Sequence, residues 1–377
     1  MKKTILSLFL MASAITYPCT GISLRTQNGD LVQGRTIEFG ESNINGKIVI
    51  SPRGREFKAL TTEGKINGLK WKAKYGFVGA SVVVDQFIGE GINEKGLNAG
   101  LFYFPHYGSL AEYEKSKANI SIADMELVTW ILSNFETVDE VKEGIKKIKV
   151  VNIGYDDKGK PLPTAHWRIG DVKGNNIVLE IVNNGEIKIY DNKVGVLTNS
   201  PDYEWHIKNL NNYINLYSGN ANSFNVNGEE LFSFGAGTGA LGLPGDITPP
   251  SRFIRAFFYV NTIGEVENTK LAVNKAFHIL NNFDIPIEIE FPKEYKGNIP
   301  KDVISATQWT AVSDLSNREF YYKTMDNSQI RKIDLKKIDF SSVKYQAFPM
   351  DNEKDNFLKI NIKKSVSYTH LTLPTIA

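Results

Sequence analysis

The order of patterned segments predicts an α+β fold. Alternating and apolar β-type runs dominate residues 22–105, a helical period takes over from 121 to 147, β-type runs return between 164 and 197, and helical and closing β segments follow. Strand-rich and helix-rich stretches are therefore segregated, which favours packed α and β layers over a doubly wound parallel sheet. No internal repeat and no long linker divides the chain, so one domain is expected over residues 19–364.

Each element has a local reason. Ile22–Thr26 alternates, Asn28-Gly29-Asp30 is a turn signal, and Leu31–Phe39 returns, so a hairpin carries the far end of the second strand back to Cys19. Lys47–Pro52 and Gly79–Asp85 read as further strands, the second apolar enough to be buried. Gly89–Leu97 reads as a turn before the apolar-aromatic stretch Ala99–Pro105. Leu127, Trp130, Ile131 and Phe135 form one helical face and Val138, Val141, Ile145 and Ile148 another, with Thr137 as N-cap. Strands follow at Thr164–Ile169, Asn176–Val182, Glu186–Tyr190 and Val194–Leu197, the last stopped by Asn199-Ser200-Pro201. Ser251 is placed to cap a helix from Arg252, and Thr269 to about Leu280 forms a second. Thr307–Asp314 and Glu319–Tyr322 are expected to close the sheets.

The two ends read differently. Lys2 and Lys3, the apolar run Ile5–Met11 and Ala12-Ser13-Ala14 make residues 1–14 a secretory signal, too short to span a bilayer. Residues 15–18 are then a propeptide whose removal exposes Cys19, and an exported protein, periplasmic or extracellular, is expected. A lipid anchor on Cys19 is the alternative, disfavoured because Pro18 stands where a small residue is wanted. Residues 365–377 resemble translated adapter DNA and are set aside with His370.

Composition excludes several classes. With 44 basic and 42 acidic side chains there is no electrostatic footprint for nucleic acid. The histidines are scattered, without the paired spacing of a metal site, and no cofactor is expected. Gly235–Gly242 lacks the Gly-Lys-Ser/Thr ending of a phosphate loop and reads as a flexible connection. A lone cysteine is ordinarily a small buried hydrophobe. Here it is the only cysteine, placed directly after a leader and followed by Thr20 and Gly21, and an unpaired thiol kept in an oxidising compartment points to use. Arg35 and Glu38, three apart, fall on opposite faces of a flat strand and share a site only where the strand bends or ends; on the residues alone they read as ordinary exposed strand charges.

Taken together, Cys19-Thr20-Gly21, Gly34–Glu38, Asn93–Leu97, Leu197–Pro201 with Trp205 and Asn209-Leu210, and Leu243–Asp246 leading to Ser251-Arg252-Phe253 resemble the choloylglycine hydrolases. That family comprises bile salt hydrolases and penicillin V acylases among the N-terminal nucleophile hydrolases. The resemblance implies an αββα four-layer sandwich, autocatalytic exposure of Cys19 as nucleophile, Arg35 and Arg252 as site arginines and Asn199 as oxyanion-hole amide. The second oxyanion position falls near Phe102 or Tyr103, where a backbone N–H would make side-chain identity unimportant. Glu38 stands where the family usually has aspartate. The implied partner is a small amide, with a homo-oligomer, commonly a tetramer, as the assembly. The implied activity is hydrolysis of the C–N amide of glycine- or taurine-conjugated bile salts through a Cys19 thioester. Penicillin V or an N-acyl homoserine lactone is the alternative substrate, and a catalytically silent secreted binding protein on the same scaffold the alternative class.

Overall fold

The computed structural model describes residues 18–39, 43–155, 162, 164–289 and 306–351. The signal-peptide and tail assignments lie outside these, as does the propeptide apart from Pro18.

The strands of the two large sheets are, in chain order, β1 (Cys19–Arg25), β2 (Leu31–Phe39), β3 (Lys47–Ser51), β4 (Phe77–Val82), β5 (Val84–Asn93), β6 (Asn98–Tyr103), β7 (Ala165–Gly170), β8 (Asn176–Val182), β9 (Glu186–Asp191), β10 (Val196–Leu197), β11 (Ala306–Asp314), β12 (Glu319–Thr324), β13 (Arg331–Asp334) and β14 (Gln346–Pro349). The helices are α1 (Leu127–Asn134), α2 (Val138–Ile145), α3 (Tyr203–Asn209), α4 (Pro249–Thr262) and α5 (Thr269–Leu280).

One antiparallel sheet runs β10-β1-β2-β11-β12-β13, the other β9-β8-β7-β6-β5-β4-β3-β14. Helices α4 and α5 cover the first sheet and α1 covers the second, giving the layers α, β, β, α. One core unites Ile22, Leu24 and Val32 with Phe253, Ala256 and Phe277 above and Val78, Phe102 and Val178 below. A second lies between the eight-stranded sheet and α1 and α2, around Trp130, Trp167, Val128 and Val141. The sheets are also tied through polar atoms. Arg168 on β7 donates to the carbonyls of Ile22 (2.7 Å) and Gly34 (2.8 Å) on the facing sheet and pairs with Glu90 at 3.0 Å, all buried.

The expected hairpin forms and carries the far end of β2 back to Cys19, with Arg25 opposite Leu31 and Cys19 opposite Ile37. Thr137 caps α2 by accepting from the Glu140 N–H. Three expectations change. The run Gly79–Asp85 is not one strand: Val83 adopts φ 63° and reverses the chain between β4 and β5. Gly89 and Gly91 lie inside β5 rather than in a turn, and at Gly91 the missing side chain admits α1, since a Cβ there would sit 2.7 Å from Leu132. Ser251 is inside α4, whose N-cap position is Thr248 and whose first turn carries prolines; the Ser251 hydroxyl donates to Asp246 instead.

Candidate active site

Cys19 is the first residue of β1, and this position lets two faces of the sheet meet on one residue. Strand alternation puts Cys19, Ile37 and Arg35 on the face towards the second sheet, and Thr20, Thr36 and Glu38 on the face towards the helices. Arg35 and Glu38 do lie on opposite faces, but both are buried rather than exposed strand charges.

From the inner face, Arg35 Nη2 donates to Cys19 Sγ at 2.7 Å. Its other donors are spent on the carbonyls of Gly89, Leu101 and Thr36, which fix the guanidinium plane. Phe102 lies under it, ring centroid 4.3 Å from the guanidinium carbon, with Arg168 5.6 Å from the same ring. The N–H that reaches the thiol belongs to Tyr103, one residue beyond Phe102, whose own side chain serves as a platform for Arg35. Burial pushes the Cys19 thiol above its ordinary pKa, Arg35 and the Tyr103 N–H pull it down, and the Glu38 charge pushes it up.

From the outer face, Arg252 on α4 donates through Nη1 to the Cys19 carbonyl (2.6 Å) and the Thr20 hydroxyl (2.9 Å), and through Nη2 to Asn199 Oδ1 (2.8 Å). Asn199, just past the short strand β10, accepts the Cys19 N–H on the same Oδ1 at 2.9 Å and donates Nδ2 to the Tyr103 carbonyl at 2.8 Å. Two donors on Oδ1 leave no ambiguity about which end of the amide is oxygen. The Glu38 N–H donates to the Pro18 carbonyl at 3.1 Å, the carbonyl of the Pro18–Cys19 bond. The Glu38 carboxylate accepts from the Thr307 hydroxyl at 3.1 Å, and burial lifts it to about 7 against the opposing pull of Arg252 and Arg35.

Cys19, Arg35, Asn199 and Arg252 thus form one bonded cluster, Glu38 stands beside it, and Phe102 supports Arg35. Of the two positions expected to offer a backbone N–H, Phe102 or Tyr103, it is Tyr103 that does so; the Thr307 and Thr20 hydroxyls were not among the expected site groups. Among the described residues no three His, Cys, Asp or Glu side chains are grouped to hold a metal ion, and no helix is long and apolar enough to cross a membrane.

A sequence model of linear amide C–N hydrolases of the choloylglycine hydrolase family matches residues 19–352. The chain is 35% identical to a bile salt hydrolase/transferase of Clostridium perfringens over 322 residues, covering 85% of this chain and 93% of that one. It is 26% identical to a penicillin V acylase of Pectobacterium atrosepticum, covering 90% and 88%. Among solved structures, a mutant of conjugated bile acid hydrolase from Clostridium perfringens superposes with a TM-score of 0.72 at 32% identity over 88% of this chain and 97% of that one. Penicillin V acylase from Agrobacterium tumefaciens shares the fold, with a TM-score of 0.67 at 24% identity over 86% and 88%. The fold is the four-layer sandwich of the N-terminal nucleophile hydrolases, and the chain belongs to the choloylglycine hydrolase family of enzymes that cleave linear amide C–N bonds.

Proposed function

We propose that the protein is exported, loses residues 1–18, and hydrolyses the amide bond of glycine- or taurine-conjugated bile salts through a thioester on Cys19. The observation that carries this reading is the cluster on Cys19: Arg35 and the Tyr103 N–H on the thiol, Asn199 and Arg252 on its main-chain nitrogen and carbonyl. Removal of the leader turns the Cys19 nitrogen into a primary amine with a reference pKa of about 7.7–8.0, suited to accept the thiol proton. Sγ then adds to the amide carbonyl, and the oxyanion meets the Asn199 Nδ2 hydrogen not used on the Tyr103 carbonyl and the Tyr103 N–H that the sulfur gives up as it bonds to carbon. The C–N bond breaks, the leaving amine takes the proton held by the α-amine, and water cleaves the thioester to release the acid and restore the thiol. Glu38, buried beside the cluster with its carboxylate on the Thr307 hydroxyl, adds a negative charge to the surroundings of Cys19.

The names of the relatives support bile salts as the leading class, and penicillin V stands as the alternative because its acylase aligns along nearly the whole chain. A homo-oligomer belongs to the same proposal. It is supported by the exposed apolar side chains Ile214, Phe224, Phe232, Phe234 and Leu241, which project from the segment between α3 and α4. Intact mass and product release after incubation with glycocholate and with penicillin V test the reading. A chain beginning at Cys19 that liberates glycine is expected; phenoxyacetate release moves the substrate to penicillin, and an uncut, inactive chain sinks the proposal.

A further inference from the structure

We propose that His166 and His206 are a pair of positioning residues that hold the Asn199 amide on Cys19 by gripping two consecutive main-chain carbonyls. The inference rests on the reading of Asn199 as part of the reacting site. His166 Nε2 lies 3.1 Å from the Thr198 carbonyl and His206 Nε2 lies 2.9 Å from the Asn199 carbonyl. A carbonyl oxygen only accepts, so both Nε2 atoms carry hydrogen.

The two imidazoles are built alike although they come from unrelated elements. His166 is on β7 of the eight-stranded sheet, His206 is on α3, and Asn199 follows β10 at the edge of the six-stranded sheet. Both rings are buried. Each is stacked face to face on a phenylalanine: His166 on Phe104 at 4.3 Å and 7°, His206 on Phe253 at 4.4 Å and 8°. A stacked ring cannot tilt without losing that contact, so each Nε2–H has one direction. Glu180 on β8 couples the two. Its Oε1 faces His166 Nδ1 at 3.1 Å and accepts from the Tyr203 N–H, the first residue of α3, at 2.9 Å. Since His166 Nε2 donates, one proton lies between Nδ1 and Glu180, whichever of them formally owns it. His206 stays neutral, because burial lowers its pKa to about 4.

These bonds fix the backbone on both sides of the Asn199 Cα, and the backbone aims the side chain. Asn199 spends Oδ1 on Cys19 and Arg252 and Nδ2 on Tyr103. The Thr198 and Ser200 hydroxyls tie the neighbouring side chains to the Pro249 and Pro105 carbonyls, whereas the histidines hold the Thr198 and Asn199 carbonyls themselves. Their contribution is therefore to geometry in the transition state rather than to affinity for substrate. A displacement of about 1 Å costs on the order of 100-fold in rate.

The test compares His206→Leu, which removes the donor, with His206→Gln, whose side-chain amide reaches the Nε2 position. His166→Leu and His166→Gln form the matching pair, and Asn199→Ala is the control. Each processed variant is checked for cooperative melting, then assayed with whichever of glycocholate or penicillin V the parent hydrolyses. The leucine variants are expected to lose kcat by roughly 10- to 100-fold with KM within about twofold, and the glutamine variants to recover most of it. If His206→Leu fails to fold, His206→Asn replaces it, its amide stopping short of the Asn199 carbonyl. An unchanged kcat in folded leucine or asparagine variants, or a loss that glutamine does not restore, overturns the brace. If Asn199→Ala itself turns over normally, or the parent hydrolyses neither substrate, the underlying site reading falls and the brace with it. Loss in Asn199→Ala with normal His206→Leu removes the brace alone.

Discussion

Replacing Arg35 by methionine isolates what one charge does to the nucleophile. The substitution keeps an unbranched side chain of similar reach on the Phe102 ring while removing the Nη2–H that sits 2.7 Å from Cys19 Sγ. A hydrogen bond to a charged group is worth about 1.5–3 kcal/mol, and losing it should push the thiol pKa further up. The sign follows from the cation, which favours thiolate over thiol. The acid limb of kcat/KM should therefore move to higher pH, and the rate on that limb should fall by about 10- to 100-fold. The carbonyls of Gly89, Leu101 and Thr36 also lose their donor, so a lower melting temperature accompanies the kinetic change. Arg35→Lys retains the charge and separates the two effects. The assay is a pH–rate profile on protein whose mass shows Cys19 at the N-terminus. A folded Arg35→Met variant with a profile superimposed on the parent's would refute the assignment of Arg35 to the thiol.

Other outcomes follow from the same geometry. Cys19→Ser should fold yet lose most turnover and retain the propeptide residues 15–18, read by intact mass; normal hydrolysis would exclude Cys19 as nucleophile. Gly21→Ala places a Cβ 2.5 Å from the Phe102 ring and should cost about 1–3 kcal/mol in denaturant melts, with Phe102→Leu in the same chain relieving part of the cost. Asp124, buried and raised to about 7, binds its proton in the folded state between its unfolded value near 4 and about 7, where the unfolded chain has released it. Stability should thus fall as pH rises through that window, and Asp124→Asn should flatten the decline in melting temperature between pH 5 and 8. A decline of unchanged steepness would show that Asp124 is not its source.

The first hairpin was legible because alternation and the Asn28-Gly29-Asp30 turn specify both strands. The second was not: an unbroken apolar run hides a reversal made by Val83 in a left-handed conformation that its residue type disfavours. Gly89 and Gly91 mark turns in a linear reading, whereas here they admit a neighbouring layer. The edge strands β13 and β14 carry mostly polar or half-exposed residues, too weak a pattern to be read. In the site, Cys19 announces itself by position. Arg252 and Asn199, 233 and 180 residues further on, are connected to it by no local spacing and came only from the family resemblance. The histidines have no paired spacing along the chain, yet folding brings His166 and His206 from two separate elements onto consecutive carbonyls.

The ring of Phe102 between Arg35 and Arg168 has a consequence for how the sequence can drift. Two guanidinium groups lie against this one ring, one serving the thiol and the other joining the sheets, while the absent side chain of Gly21 makes room for it. A neutral path through sequence space must therefore change positions 21, 35, 102 and 168 together or leave them all alone. Chemistry at the nucleophile and cohesion between the layers are inherited as one unit.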